Sequence, residues 1–290
     1  MTHQSHPAGD TVIAVTGATG RLGARIAHRL AAAGIRQRMV VRDPARAPRL
    51  PGATVVRAGF GDRADVMHAL HGIDRVLMVS ASETPDRIGQ HRAFVDAAVA
   101  AGVGHLVYIS FYGAAPDATF TLARDHWATE QHIRSSGLAF TFLRDNLYAD
   151  FMPALVGEDD VIRGPAGNGR VAAIAQDDIA DAATAVLTSP PEHNGATYDL
   201  TGPQALTFDE VALILSHATG RTITYHRETL DEAYSSRASY GAPGWQVDAW
   251  VSTYTAIASG ELSGITDAIP RLTGHPATPL SEVAGPSRHP

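Results

Sequence analysis

Three glycines spaced three residues apart, Gly17, Gly20 and Gly23, follow the apolar run Val12-Ile13-Ala14-Val15. Between a strand and a helix, that spacing suits one ligand group. The first glycine lets the turn close. The second removes a side chain where a pyrophosphate must approach, and the third lets the helix pack on the strand. The helix N-terminus then offers N–H groups and a partial positive charge to the phosphates. Gly17, Ala18, Thr19, Gly20, Arg21, Leu22 and Gly23 are therefore the candidate dinucleotide turn. About twenty residues on, an acidic residue would accept from a ribose 2′-hydroxyl. The run Met39-Val40-Val41 ends instead in Arg42. A guanidinium suits a 2′-phosphate, and Arg21 adds a second cation. NADPH is expected in preference to NADH. Asp43 follows at once and faces the ribose if the register slips by one.

The proton chemistry is constrained by an absence. All 23 Lys and Arg residues are arginine, which keeps its charge in proteins. Proton transfer falls to His, Tyr, Asp, Glu or water. A tyrosine with lysine four residues later, the common reductase pair, does not occur: Tyr112 is followed at that spacing by Pro116, and Tyr148 by Met152. His126, Tyr112 and Tyr148 remain as donors. His126 either points at the nicotinamide or is a solvated helix histidine. Ligands of open parallel sheets sit beyond the carboxyl ends of the strands. That places Ser82 and Glu83 beside a ribose, and Asp145, Asn146, Leu147 and Tyr148 near a nicotinamide. Asp62 either accepts from the adenine amino group or caps the helix at Arg63.

These residues need a doubly covered parallel sheet to position them. Strands are predicted at Thr11–Thr16, Gln37–Arg42, Thr54–Arg57, Arg75–Ser80, His105–Ser110 and Ala139–Leu143. Helices alternate with them at Arg21–Ala33, Arg63–His71, Asp86–Ala101 and Leu122–Ser135. Runs such as Val76-Leu77-Met78-Val79 are apolar throughout, as strands covered on both faces are. The fold class is α/β: a Rossmann-type parallel sheet with helices on both faces, plus a small, mainly helical C-terminal substrate domain. Residues 11–156 and 176–202 are assigned to the dinucleotide domain, and 157–175 and 203–284 to the substrate domain. Residues 1–10 and 285–290 read as disordered tails. Gly157–Gly169 reads as an excursion, Asp177-Asp178 as a helix N-cap, and Thr222–His226 as a late strand. Trp245, Trp250, Tyr240 and Tyr254 line a pocket or pack a core.

Composition narrows the class further. The chain has 290 residues, a net charge of −7 and no cysteine. Disulfides, thiolate metal sites and a cysteine nucleophile are excluded. No basic face is visible, which disfavours nucleic acid. No apolar stretch of about 18 residues suggests a membrane span. Met1–Asp10 lacks the apolar region of a signal peptide, so the cytoplasm is expected. His68 and His71 share a helix face without a third ligand, and no metal site is expected.

The run Val15–Gly23, Val41-Arg42-Asp43-Pro44, Gly102-Val103 before Tyr108-Ile109-Ser110, and Leu143-Arg144-Asp145-Asn146-Leu147-Tyr148 together resemble the NmrA-like atypical short-chain dehydrogenase/reductases. Within them the pattern is similar to QorB-type NADPH:quinone oxidoreductases and triphenylmethane reductases. Gln176-Asp177-Asp178-Ile179-Ala180 and Leu272-Thr273-Gly274-His275-Pro276 extend the likeness over residues 11 to 283. The resemblance implies an NADP-binding Rossmann domain, a small substrate domain and an active site between them. It implies that Gly17 to Leu22 hold the pyrophosphate, and that Arg42 meets the 2′-phosphate. Ser82, Glu83 and Asp145–Tyr148 then surround the ribose and nicotinamide. The chain departs from the family at Asp145, where an asparagine is common, and at Gln176, where quinone reductases often carry arginine. The expected function is NADPH-dependent hydride transfer to a quinone or similar planar, conjugated acceptor, with oligomers possible. The alternative is a redox-sensing regulator of the NmrA type that binds NADP(H) without turnover.

Overall fold

The computed structural model describes residues 11–285. Its first half alternates strand and helix: β1 (Val12–Thr16), α1 (Arg21–Ala32), β2 (Arg36–Val41), β3 (Ala53–Arg57), α2 (Arg63–Leu70), β4 (Arg75–Val79), α3 (Arg87–Ala100), β5 (His105–Phe111), α4 (Thr121–Ser135) and β6 (Ala139–Asp145). There follow β7 (Val161–Gly164), α5 (Gln176–Thr188), β8 (Thr197–Leu200), α6 (Phe208–Thr219) and β9 (Thr224–Arg227). The chain closes with α7 (Leu230–Arg237), α8 (Gly244–Ala258), α9 (Ala268–Thr273) and α10 (Leu280–Val283).

Seven strands form one sheet in the order β3-β2-β1-β4-β5-β6-β8. The pairings β1–β2, β1–β4, β2–β3 and β4–β5 are parallel. The chain winds outward from β1 to β3, then crosses back to β4 on the other side of β1. The β1/β4 gap is thus the point where strand order reverses, and such gaps open a crevice at the strands' carboxyl ends. Among the described residues, no helix is long and apolar enough to cross a membrane.

The chain divides into two compact units. One comprises residues up to Ser110 with Ala128–Leu143 and Ala180–Tyr198; the other comprises Phe111–Trp127, Arg144–Ile179 and Asp199 onward. In the first unit, Val40, Val76, Met78, Leu106, Tyr108 and Phe142 of the sheet pack with Val66, Leu70, Phe94 and Val95 of α2 and α3. In the second unit, Phe111, Met152, Ile162, Phe208, Leu215, Tyr225 and Ile257 form a separate core.

The structure revises several sequence expectations. The excursion at Gly157–Gly169 contains β7, which pairs in parallel with β9 from Val161↔Thr224 to Gly164↔Arg227. Four residues, the last of them glycine, give no readable alternation, so only the partner strand reveals this one. The late strand starts at Thr224 rather than Thr222. Asp177-Asp178 does not cap α5. Asp150 does so from outside the helix, its Oδ2 accepting the Gln176 N–H at 2.8 Å. Asp178 instead accepts from the Thr278 N–H and hydroxyl at 2.7 and 2.8 Å. The four late aromatics divide: Tyr254 packs on the second core, whereas Tyr240 is 71% exposed and stands edge-on to Trp250. The two expected tails lie largely outside the described residues.

One close approach governs the start of α1. A Cβ at Gly23 would lie 2.2 Å from the Gly17 carbonyl oxygen and 2.5 Å from its carbon. Both are backbone atoms, so no side-chain movement relieves the clash. Gly23→Ala is expected to lower the free energy of unfolding by about 1–3 kcal/mol, the usual cost of overpacking, read by urea titration. An unchanged midpoint would show that the turn shifts freely.

Candidate functional site

The glycine turn leaves β1 directly over the end of β4. Gly17 adopts φ +68, a conformation that side chains resist, and a Cβ there would meet Val79 Cβ at 3.0 Å. The Gly20 N–H donates to the Gly17 carbonyl at 2.8 Å and closes the turn. Gly20 is the N-cap of α1 and provides no side chain to cap it, and the first turn of α1 carries no acidic residue. By contrast, α6 and α7 both begin with complete Thr–Glu capping boxes, Thr207/Glu210 and Thr229/Glu232. The start of α1 suits an anion: its N-cap lends the N–H groups no side-chain acceptor, its dipole favours negative charge, and Gly20 and Arg21 are exposed beside it. Ala18 and Leu22 are buried and anchor the turn, and Thr19 is half-buried. Those features fit a dinucleotide pyrophosphate.

Thr16, which the sequence reading passed over, holds β1 to β4 beneath this turn. Its hydroxyl oxygen accepts the Val79 N–H at 2.8 Å, just past the last ladder pair Val15↔Leu77. A side chain thus replaces the backbone where the strands part.

Arg42 is exposed at the end of β2, its Nη2 3.5 Å from Ser82 Oγ. The two residues meet although 40 positions separate them in sequence. Asp43 is occupied locally, with Oδ1 accepting the Ala45 N–H at 3.0 Å as the cap of a short 3-10 helix, Pro44–Arg46. Asp62 does the same for α2, accepting from the Asp65 N–H at 3.1 Å, as its capping alternative requires.

The loop carrying Ser82 and Glu83 is gripped from α3. The Ala81 N–H donates to His91 Nε2 at 2.9 Å, and the Ala81 carbonyl accepts from Arg87 Nε at 3.1 Å. Both His91 and Arg87 are buried. A backbone N–H can only donate, so Nε2 carries no proton. Nδ1 then bears it and donates to Thr129 Oγ1 at 2.9 Å. Burial, followed by the nearby Arg87 charge, pushes the His91 pKa down to about 3. The sequence signal for this pair was faint: two polar residues on the inward face of an otherwise ordinary helix.

In the second unit, β6 ends in Asp145, which is 4% exposed. The Tyr112 N–H donates to the Asp145 carbonyl, and the Asn146 N–H to the Leu200 carbonyl, at 2.8 and 3.0 Å. Asn146 is buried and engages both ends of its amide: Nδ2 donates to the Leu262 carbonyl at 3.0 Å, and Oδ1 accepts the Leu147 N–H at 2.8 Å. It acts as a strut for the loop. Tyr148 is half-buried, and its hydroxyl lies 3.3 Å from Asp145 Oδ2. Burial holds the Asp145 pKa well above the ordinary carboxylate range. Tyr112 rests against Gly264, and burial, followed by the Asp199 carboxylate, raises its pKa. His126 is 6% exposed, its ring 6.0 Å from that of Phe111, which removes the solvated alternative.

A parallel sheet with its order reversing at an uncapped glycine turn defines a dinucleotide-binding α/β protein. The NmrA-like family matches residues 9–237, and the chain belongs to that family. It is 35% identical over 282 residues to the NAD(P)H azoreductase of Xenophilus azovorans, covering 94% of this chain and 96% of the relative. The crystal structure of the Escherichia coli NADPH-dependent quinone oxidoreductase complexed with NADPH superposes with a TM-score of 0.86 at 33% identity, covering 94% and 98% of the two chains. The Citrobacter sp. triphenylmethane reductase complexed with NADP(H) gives 0.84 at 32% identity, covering 94% and 98%.

His91 makes a thermodynamic prediction. Its folded pKa of about 3 lies below the ordinary imidazole value of 6.5. The unfolded chain therefore binds a proton that the folded chain refuses. Stability from this group is full above the unfolded pKa and is lost as pH falls toward the folded one. From pH 7 to pH 5 the loss amounts to about 2 kcal/mol. His91→Gln, which still offers an acceptor to the Ala81 N–H, is expected to shrink the stability difference between those two pH values by that amount in urea titrations. An undiminished difference would place the titration elsewhere.

Proposed function

We infer that the protein is an NADPH-dependent oxidoreductase that passes a hydride to a quinone or a similar planar, conjugated acceptor. The observation that carries this reading is the turn at Gly17–Gly23, with its uncapped helix and with Arg42 beside Ser82. Likeness along nearly the whole chain to an azoreductase and to quinone and triphenylmethane reductases supports the reaction class. Bound NADPH supplies two electrons and a hydrogen nucleus and leaves as NADP+.

The chain's own groups do the rest. Gly17, Ala18, Thr19 and Leu22 cradle the pyrophosphate with backbone N–H groups, Gly20 leaves room for it, and Gly23 keeps α1 close enough to do so. Arg42, Arg21 and Ser82 meet the 2′-phosphate. Asp62 and Glu83 border the adenosine half. Leu147, Tyr148 and the Asp145–Asn146 strut belong to the acceptor side. Reduction of a quinone develops negative charge on oxygen, which Tyr148 or His126 stabilises by donating a hydrogen bond. Water completes the protonation, so a lysine is not needed. The work of the protein is then positioning and exclusion of water. A need for NADPH fits the cytoplasm as its place of action.

The test is consumption of NADPH, with NADH in parallel, against a panel of quinones and triphenylmethane dyes. Rapid loss of NADPH with one acceptor class is expected. Arg42→Ala is expected to weaken NADPH binding by about 1.5–3 kcal/mol, the worth of a hydrogen bond to a charged group, and to leave NADH nearly unchanged. Equal losses for both dinucleotides would remove Arg42 from the 2′-phosphate. Tight binding with no turnover of any acceptor would replace the enzyme by a cofactor-sensing regulator.

A further inference from the structure

Charge is spread unevenly along this chain. Residues 11–63 hold ten arginines against two acids, Asp43 and Asp62, a net charge of +8 in a protein whose net charge is −7. In sequence these arginines are scattered, so no basic face is visible. The parallel sheet gathers five of them. Arg21 opens α1, Arg42 follows β2, Arg46 ends the 3-10 helix after it, Arg57 ends β3 and Arg63 opens α2. The carboxyl ends of parallel strands, and the starts of the helices that follow them, share one edge of the sheet. Val41 pairs with Arg57 across β2 and β3, so Arg42 and Arg57 leave the sheet at nearly the same level.

All five residues are exposed. Among the described residues, no ion pair engages any of them. The two acids of the segment face backbone instead: Asp43 accepts the Ala45 N–H and Asp62 the Asp65 N–H. The second unit is organised otherwise, since Arg163, Arg170, Arg221, Arg227 and Arg271 each meet a carboxylate. Asp65 in the first turn of α2 and Glu83 past β4 bound the cationic edge. Like charges gathered this way repel one another, and an arriving anion relieves that repulsion.

A 2′-phosphate carries about −1.5 to −2 charges at neutral pH. Arg42 and Arg21 are enough to meet it, which leaves Arg46, Arg57 and Arg63 in excess. A charge acts on a ligand without touching it. Its field reaches about 8–10 Å at physiological salt, and a surface of one sign raises association rates by about 10- to 1000-fold. We propose that Arg46, Arg57 and Arg63 form a capture rim for NADPH. Their field draws the phosphorylated end of the dinucleotide toward Arg42 and Arg21 and raises the association rate, while the contacts of the bound state set the dissociation rate. NADH lacks the 2′-phosphate and is drawn less, so part of the preference between the two dinucleotides arises during approach. This rests on the reading of Arg42 and Arg21 as the 2′-phosphate site.

The test is stopped-flow fluorescence of the full chain mixed with NADPH, and separately with NADH, with no acceptor present. The wild-type association rate for NADPH is expected to fall about 10-fold as salt rises from about 20 to about 200 mM, and the rate for NADH to fall less. An NADPH association rate that ignores salt overturns the proposal before any variant is made. The triple variant Arg46→Gln, Arg57→Gln and Arg63→Gln is expected to bind NADPH about 10-fold more slowly at low salt, to lose most of the salt dependence and to keep the wild-type dissociation rate. Three equivalent changes in the second unit, Arg170→Gln, Arg221→Gln and Arg271→Gln, remove the same charge and are expected to leave association unchanged. Equal slowing by the two triple variants makes net charge the cause and overturns the rim. So does equal slowing for NADPH and NADH, or a loss confined to dissociation. Fast, salt-sensitive NADPH binding without turnover on any acceptor defeats the hydride-transfer reading alone and supports the rim. Failure of the wild type to bind NADPH overturns both.

Discussion

The contact between the backbone of Gly17 and the Cα of Gly23 sets the geometry on which the first unit depends. Two pieces of main chain touch without side chains between them. That contact brings the first turn of α1 down onto the end of β1, at the point where the sheet order reverses. The helix then starts without a side-chain cap from its N-cap residue. Dipole, donors and open space coincide because nothing larger than hydrogen fits at position 23. The Thr16 hydroxyl completes the arrangement by bonding to β4 just where the strands separate.

Around that point the protein uses buried polar side chains to hold loops that have no regular structure. Ala81 illustrates the economy of the device: one residue's N–H and C=O are both taken by α3, through His91 and Arg87. A buried imidazole without a proton on Nε2 is a fixed acceptor, and a fixed acceptor fixes the loop. Asn146 does the equivalent in the second unit with its amide. These bonds matter more than exposed ion pairs such as Arg163–Asp159, which water and salt weaken. Elsewhere in the second unit the pair Arg237–Glu228 is well buried, and Arg237 lies over the Tyr254 ring, whose edge occupies the space a Cβ on Gly164 would need.

Local residue patterns made much of this legible. Apolar runs marked the strands of the first half, and the positive-φ glycines 34, 72, 102 and 137 fall where the helices were expected to end. The turn was readable because its three glycines act within seven residues. Arg42 was readable because its place in the second strand is set by the first. The short strand β7 was not, because its pairing with β9 joins residues about sixty positions apart. Asp177-Asp178 misled for the opposite reason. It looked like a local cap, while the true partner of the Gln176 N–H, Asp150, comes from a distant segment.

By itself, then, the order of residues determined the α/β alternation, the glycine turn, the arginine at the end of the second strand and the lack of any lysine for acid–base work. Each of these is a matter of type and near spacing. Only the tertiary structure decided that His91 is a neutral acceptor, that Thr16 joins two strands, that Asn146 is a strut, and that Asp145 is buried against Tyr148. The physical reason is the same in every case. Protonation state and hydrogen-bond direction depend on burial and on partners brought from elsewhere in the chain, and neither is written in the residues adjacent in sequence.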